Sequence, residues 1–291
     1  MFFTVLIGGI VLGCTYGMLA LGYSLIYQAS GYMNFTLPDL LMLGAFIGWT
    51  FLSILGLPFW LSLIISMGIM FLIGILIEIG VIRVLSNKRA KPILVVLATI
   101  GISIIIQNVA NLIWGSLWKY FPPIFSNSAP VSIAGVSVSK ESILAIVLAV
   151  STMAVLQFFL KKTKFGTAMR AAAQSKTAAS CMGINVNLTV SVTYGIAALL
   201  ACMGGNIIAP SLMVSTSLGT QLGTKSFAGA VIGGYGNIVG AIVGSLLIGV
   251  IETFVAAYVS SVYKDLIIYG LMVLVIAVKP SGLFNASVYG D

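Results

Sequence analysis

The residues able to do chemistry in this 291-residue chain are few: six Asp and Glu, fourteen Lys and Arg, and no His. Glu252 is the main acid placed deep in an apolar run, and Glu78 stands close to the end of another. An ionisable group at the centre of a bilayer costs about 2.5–3.5 kcal/mol on insertion scales. Two isolated acids supply no relay of carboxylates, which disfavours a carrier driven by protons. Glu252 itself reads either as a functional group or as a packed residue bonded to a neighbouring helix. Cys14, Cys181 and Cys202 lie far apart without a CxxC spacing. With no His beside them, zinc chemistry and most acid–base designs are removed, and no metal site is expected.

Uncharged polar residues are the better candidates. Gln107, Asn108 and Asn111 fall at helical spacing, 107 and 111 sharing a face, with Thr99, Gly101 and Ser103 about two turns earlier. Such groups can offer a passing solute weak hydrogen bonds without trapping it. The alternative is that they bond helix to helix, worth about 0.6 kcal/mol each. The stretch GTQLGTKS, Gly219 to Ser226, superficially evokes a phosphate loop. GxxxxGK[ST] needs Gly directly before the Lys, however, and Thr224 stands there with no strand ahead of it. The chain is therefore expected to bind no nucleotide or other cofactor, and any ATP that drives it must be hydrolysed by another subunit.

The elements that position these residues must live in hydrocarbon. The composition is 60% hydrophobic and 7% charged, with a mean hydropathy of +1.16, whereas a soluble domain carries about 25% charged residues. The net charge of +8 sits in clusters between apolar spans, which points to orientation in a membrane rather than to nucleic acid. The N-terminus, MFFTVLIGGIVLG, has no basic residue ahead of its apolar part and reads as a retained first span rather than a cleaved signal.

The spacing predicts an all-α polytopic membrane protein, a single domain over 1–291 with about 8 transmembrane helices (8–10), one of them broken or re-entrant. About 20 apolar residues cross the hydrocarbon as helix. The expected spans are Thr4 to Tyr27, Leu40 to Leu55 after a helix opening at Pro38, Phe59 to about Ile82, and Pro92 to Trp114. Glu141 to Leu160 and Leu188 to Ile208, closed by Pro210, follow, and Leu266 to Val278 comes last. Gly9, Gly13 and Gly17 form two GxxxG steps, a flat face for close helix approach. Trp114, Trp118 and Tyr120 mark an interface, and Gly115 to Ser139 reads as an external loop with short extended pieces. Ser226 to Ser260 is too long for one span and short for two, with a break at GGYGN, Gly233 to Asn237. A half-span or re-entrant helix followed by a full span gives eight spans and an external C-terminus; two crossings give nine and an internal one.

Two segments share the basic residues. Arg83 to Lys91 holds four and KKTKFGTAMRAAAQSKTAASCMGINVN, 161–187, holds five, with no acid in either. Both are expected on the cytoplasmic side, with Met1 outside. After a pivot at Gly166, Thr167 to Cys181 reads as a short exposed helix ending near Gly183. It serves as a handle between two spans or, alternatively, as an ordinary basic loop.

Five stretches in order resemble the permease subunits of ABC importers for branched-chain amino acids, the LivH type. They are GCTYGMLALGYSLIYQASGYMNF at 13–35, ATIGISIIIQN at 98–108, TKFGTAMRAAAQSKTAASCMGINV at 163–186, KSFAGAVIGGYGNIVGAIVGSLLIGVIE at 225–252 and YKDLIIYGLMVLVIAVKPSGLF at 263–284. The resemblance implies a multi-pass bacterial inner-membrane importer. In it, two permease subunits, identical or not, form the pathway, two cytoplasmic ATPase subunits consume ATP and Mg, and an external binding protein delivers solute. It further implies that 161–187 contains the coupling helix, carried by Arg170, Ala172, Ala173, Ser175, Ala179 and Gly183. The pathway would then be lined by Asn34, Thr99, Gly101, Ser103, Gln107, Asn108, Gly233 and Gly234. Many members carry His-Gly-Glu after the Asn-Phe pair; here Asn34 and Phe35 are followed by Thr36, Leu37, Pro38 and Asp39, and the resemblance offers Asp39 as the stand-in for that acid. Related permeases move nucleosides, sugars, urea or amides, and a channel or secondary carrier is the alternative from another class.

Overall fold

The computed structural model describes residues 2–88, 90–122, 124, 131–133 and 136–284. Arg89 of the first basic segment and most of the 115–139 connection beyond Ile124 lie outside the described residues. The helices are α1 (Phe2–Ser30), α2 (Leu37–Trp49), α3 (Phe59–Ile77), α4 (Arg83–Asn87), α5 (Pro92–Trp114) and α6 (Lys140–Lys162). Then come α7 (Lys164–Gln174), α8 (Lys176–Cys181), α9 (Val186–Leu212), α10 (Leu218–Gly233), α11 (Ile238–Tyr258) and α12 (Lys264–Val278). Five-residue π-helical turns prolong α2 (Thr50–Ile54) and join α3 to α4 (Glu78–Ile82). A two-stranded antiparallel hairpin, β1 (Val131–Ile133) with β2 (Val136–Val138), supplies the short extended pieces expected before α6.

Among the described residues, seven helical stretches are long and apolar enough to cross a membrane; α10 and α12, of 16 and 15 residues, are shorter. α1 and α9 form the centre and α5 the periphery. Gly9 and Gly13 explain how closely α1 and α11 pack. A Cβ on Gly13 would stand 2.8 Å from Leu246 Cα, and one on Gly9 2.8 Å from Val250 Cα. Gly17, the third of the series, faces the Met153 methyl of α6 instead.

Several expected boundaries move. Arg83 is not in a loop: α3 continues through the π turn into α4, because Arg83 Nη2 pairs with Glu78 Oε2 at 2.7 Å and donates to Asn187 O at 3.2 Å. Pro210 does not close α9, which runs to Leu212; a proline this near a helix end removes little from the ladder. Part of the polar stretch after α9 is helical, α10 starting at Leu218.

The ends of the bundle can be told apart. Ser30, Asn87, Lys176 and Val186 line one cleft, so both basic segments lie at the same end. At the other end Trp114 Nε1 donates to Thr50 Oγ1 at 2.8 Å, Trp49 Nε1 to Tyr120 O at 2.9 Å, and Lys119 bridges Val214. The break at Gly234–Asn237 belongs to the basic end: Gln28 Nε2 donates to Gly236 O at 2.5 Å. From there α11 rises until Gly9 meets Val250, and α12 descends until Leu283 and Phe284 donate their amides to Ile232 O and Gly233 O. The break is thus a turn at the basic end between α10, a 16-residue helix that starts at depth beside Pro38, and the full crossing α11. Residues 279–284 end at the basic side.

Candidate functional site

Two helices begin deep in the bundle, and their starts meet. The non-helical segment 31–36 carries the chain from the end of α1 back along it, so that Leu37 packs against Gly22. Thr99 pins this segment to α5: its Oγ1 accepts from Phe35 N at 3.1 Å, and its carbonyl accepts from Thr36 Oγ1 at 2.9 Å. Thr99 lies seven residues into α5, about 10 Å along the axis, which fixes how deep α2 starts. Pro38 occupies its first turn, where a missing N–H costs no helical bond. α10 starts against the same proline, Gly219 and Gly223 leaving room for it.

At this junction Asp39 is 1% exposed. Gln107 Nε2 donates to its Oδ1 at 2.8 Å, and Ser103 Oγ donates to its Oδ2. Its place in the first turn of α2 adds the favourable end of a helix dipole. Beside it opens a cavity of about 320 Å³. Tyr23, Phe35, Pro38, Phe227, Tyr269 and Met272 give it an apolar wall, and Asp39, Ser103, Thr220 and Thr224 add polar groups. Phe227 ties the aromatic wall together, its ring centroid 5.6 Å from both Tyr23 and Phe35.

Ser103 and Gln107 therefore converge on one carboxylate, and Thr99 holds the loop that presents it. The other pathway candidates lie elsewhere. Asn108 is on the exposed face of α5, where its Nδ2 returns to Ile104 O at 2.8 Å. Nothing stands within 4 Å of a Cβ built on Gly101. Asn34 is buried and accepts from Thr36 N at 2.7 Å, shaping the turn. Gly233 and Gly234 sit in the α10–α11 turn, capped by Gly282 and Phe284, at the basic end rather than in the cavity. The spacing of Ser103 and Gln107 signals their shared face. The resemblance marks Asp39 as a stand-in for the family's acid; its spacing alone does not, because an acid after a proline in a first turn is ordinary helix punctuation.

Glu252 is paired. Lys225 Nζ reaches its Oε1 at 2.5 Å and Asp265 Oδ1 at 3.0 Å; Tyr16 OH donates to Oε2 at 2.7 Å, and Lys264 lies 3.5 Å away. This network joins α1, α10, α11 and α12, and it favours the reading of Glu252 as a packed, bonded residue.

The basic segment forms two helices rather than one. Thr163, not Gly166, is the pivot, its Oγ1 accepting from Gly166 N at 2.9 Å. Gly166 lies inside α7, packed so closely on α6 that a Cβ there would come within 2.6 Å of Leu160 Cα. Ser175 leaves helical geometry at φ −157 and ψ 112 and caps α8 through Ala178 N. Ala172 and Ala179 are buried, Arg170 and Ser175 are exposed, and Ala173 lies between. Gly183 ends α8 at φ 77, a left-handed value that suits glycine. Met182 beside it is 82% exposed. Lys176 Nζ donates to Ser30 O at 2.8 Å at the end of α1, and partial burial there lowers its ammonium below the usual lysine pKa.

Over residues 5–276 the chain matches the family described as branched-chain amino acid transport system / permease component. It is 30% identical to the high-affinity branched-chain amino acid transport system permease protein LivH of Salmonella typhimurium, across 95% of this chain and 93% of that one. The LivH protein of Escherichia coli K12 gives the same figures. Identity to BraD of Pseudomonas aeruginosa is 29%, across 96% and 94%. With its array of apolar crossings the chain is a multi-pass protein of the bacterial inner membrane and a transport component rather than an enzyme. It belongs to the branched-chain amino acid transport system permease family.

Proposed function

We propose that the chain is one of two permease subunits of an ATP-driven importer for branched-chain amino acids. The observation that carries this reading is the α7–α8 pair. It is an exposed, acid-free, small-residue elbow at the basic end of the bundle, inserted between two crossings, α6 and α9. Thr163 couples α7 to α6, and Gly183 to Asn185 couple α8 to α9. A push on the tip around Arg170, Ser175 and Met182 therefore reaches both helices. Cytoplasmic ATPase subunits would supply that push, consuming ATP and Mg outside this chain, and an external binding protein would deliver the amino acid. Coupling of this kind needs an element with two arrangements that both sites bias; the non-helical Ser175 between α7 and α8 supplies a joint.

The test is reconstitution of the chain with its ATPase partners and binding protein in vesicles. Wild type should accumulate L-leucine only with ATP. Gly183→Val and Arg170→Glu should keep ATP hydrolysis while losing uptake. Full-rate leucine movement through the permease alone would support the channel or carrier alternative and end the importer reading.

A further inference from the structure

The Asp39 carboxylate stands without a cation. Among the described residues no Lys or Arg lies within ion-pairing distance of it, in contrast to Glu78 and Glu252, the other two buried acids. A carboxylate offers about four acceptor positions, and the two donors on it, Ser103 and Gln107, both come from α5. Its remaining capacity is on the side of the cavity. A charge carried to this depth without a permanent counter-ion marks a binding position for a transient one. The neighbouring walls are Phe35, Phe227 and Tyr269, whose ring faces tolerate an ammonium and accommodate a branched aliphatic group equally well.

We propose that Asp39, oriented by Ser103 and Gln107, receives the α-ammonium of the amino acid in transit while the aromatic wall takes its side chain. This rests on the substrate class given under Proposed function. The α-carboxylate would be left to the open side of the cavity, away from Asp39. Ser103 and Gln107 are positioning residues: each holds an oxygen of Asp39, and the fork between them directs the acceptor face into the cavity.

Two measurements on the reconstituted complex test this. In vesicles, Asp39→Asn should lower ATP-driven leucine uptake about tenfold or more, the scale of one lost charge-assisted contact. ATP hydrolysis stimulated by the binding protein should persist, and Asp39→Glu should restore uptake to within about threefold of wild type. Wild-type uptake in Asp39→Asn overturns the proposal. Absence of uptake in the wild type itself would instead overturn the substrate reading. The second measurement does not depend on transport. With Cys181→Ser as background, a Thr220→Cys label site in the cavity is alkylated by a maleimide in detergent. 3-Methylbutylamine should slow the reaction in the Asp39 protein but not in Asp39→Asn, and 4-methylpentanoate, which lacks the amine, should slow neither. Equal protection by the two compounds, or none by the amine, refutes an ammonium site even if Asp39→Asn fails to assemble.

Discussion

Replacing Lys225 by methionine removes the closest cation from Glu252, a carboxylate only 4% exposed. Breaking a buried pair by deleting one partner costs about 3–5 kcal/mol. Here Tyr16 at 2.7 Å and Lys264 at 3.5 Å remain beside the acid, so the loss should fall at about 2–3 kcal/mol. Glu252→Leu alone should cost less, about 1–2 kcal/mol, because Lys225 keeps Asp265 at 3.0 Å, which is half exposed and screened. The double variant, Lys225→Met with Glu252→Leu, exchanges the central ion pair for apolar contact and should unfold within about 1 kcal/mol of wild type. Unfolding equilibria in mixed detergent micelles, followed by tryptophan fluorescence, measure all four corners of this cycle. If the two single costs simply add in the double variant, to within about 0.5 kcal/mol, the charges do not act as a unit and the network does not tie α10 to α11.

Gly13→Val should destabilise by about 1–3 kcal/mol, since its Cβ meets α11 backbone at 2.8 Å rather than a movable side chain; the same equilibrium measures it. Thr99→Val leaves the Phe35 amide without its acceptor and should cost about 1–3 kcal/mol while lowering leucine uptake, read by unfolding and by vesicle transport. Single cysteines at Lys88, Ser175 and Leu283 should react with an impermeant maleimide from one side of the membrane, and one at Trp118 from the other. Labelling of Leu283 together with Trp118 would contradict the path in which α10 reaches the basic end, α11 leaves it and α12 returns to it.

Much of this arrangement is written in local signals. Apolar run length sets the crossings, and the two basic segments, read for orientation, do lie at one end of the bundle. The glycine spacing at 9 and 13 anticipates the α1–α11 contact, and the GGYGN break is where the sequence places it. What local signals miss is decided across the fold. Arg83 reads as loop because its neighbours are basic, and only Glu78 and Asn187 make it helical. Ser175 breaks the handle because a side-chain cap outcompetes continuation there, a choice that helix propensity alone does not make. Asp39 is legible only in part: the resemblance marks it as a stand-in for the family's acid, but its setting depends on Ser103 and Gln107, more than sixty residues away along the chain, and on the loop that sinks it to their level. Spacing brings those two polar residues together, but which acid they serve is a tertiary fact.

The depth at which α2 begins also imposes an order in time. While the ribosome has delivered only α1 to α3, the Phe35 amide and the Thr36 hydroxyl have no acceptor, because Thr99 has not been made. Unbonded backbone is not tolerated against lipid. The nascent first hairpin must therefore wait, shallow or shielded by the insertion machinery, until α5 arrives. Chains truncated before Pro92 should be short-lived substrates for membrane proteolysis, however apolar their segments are.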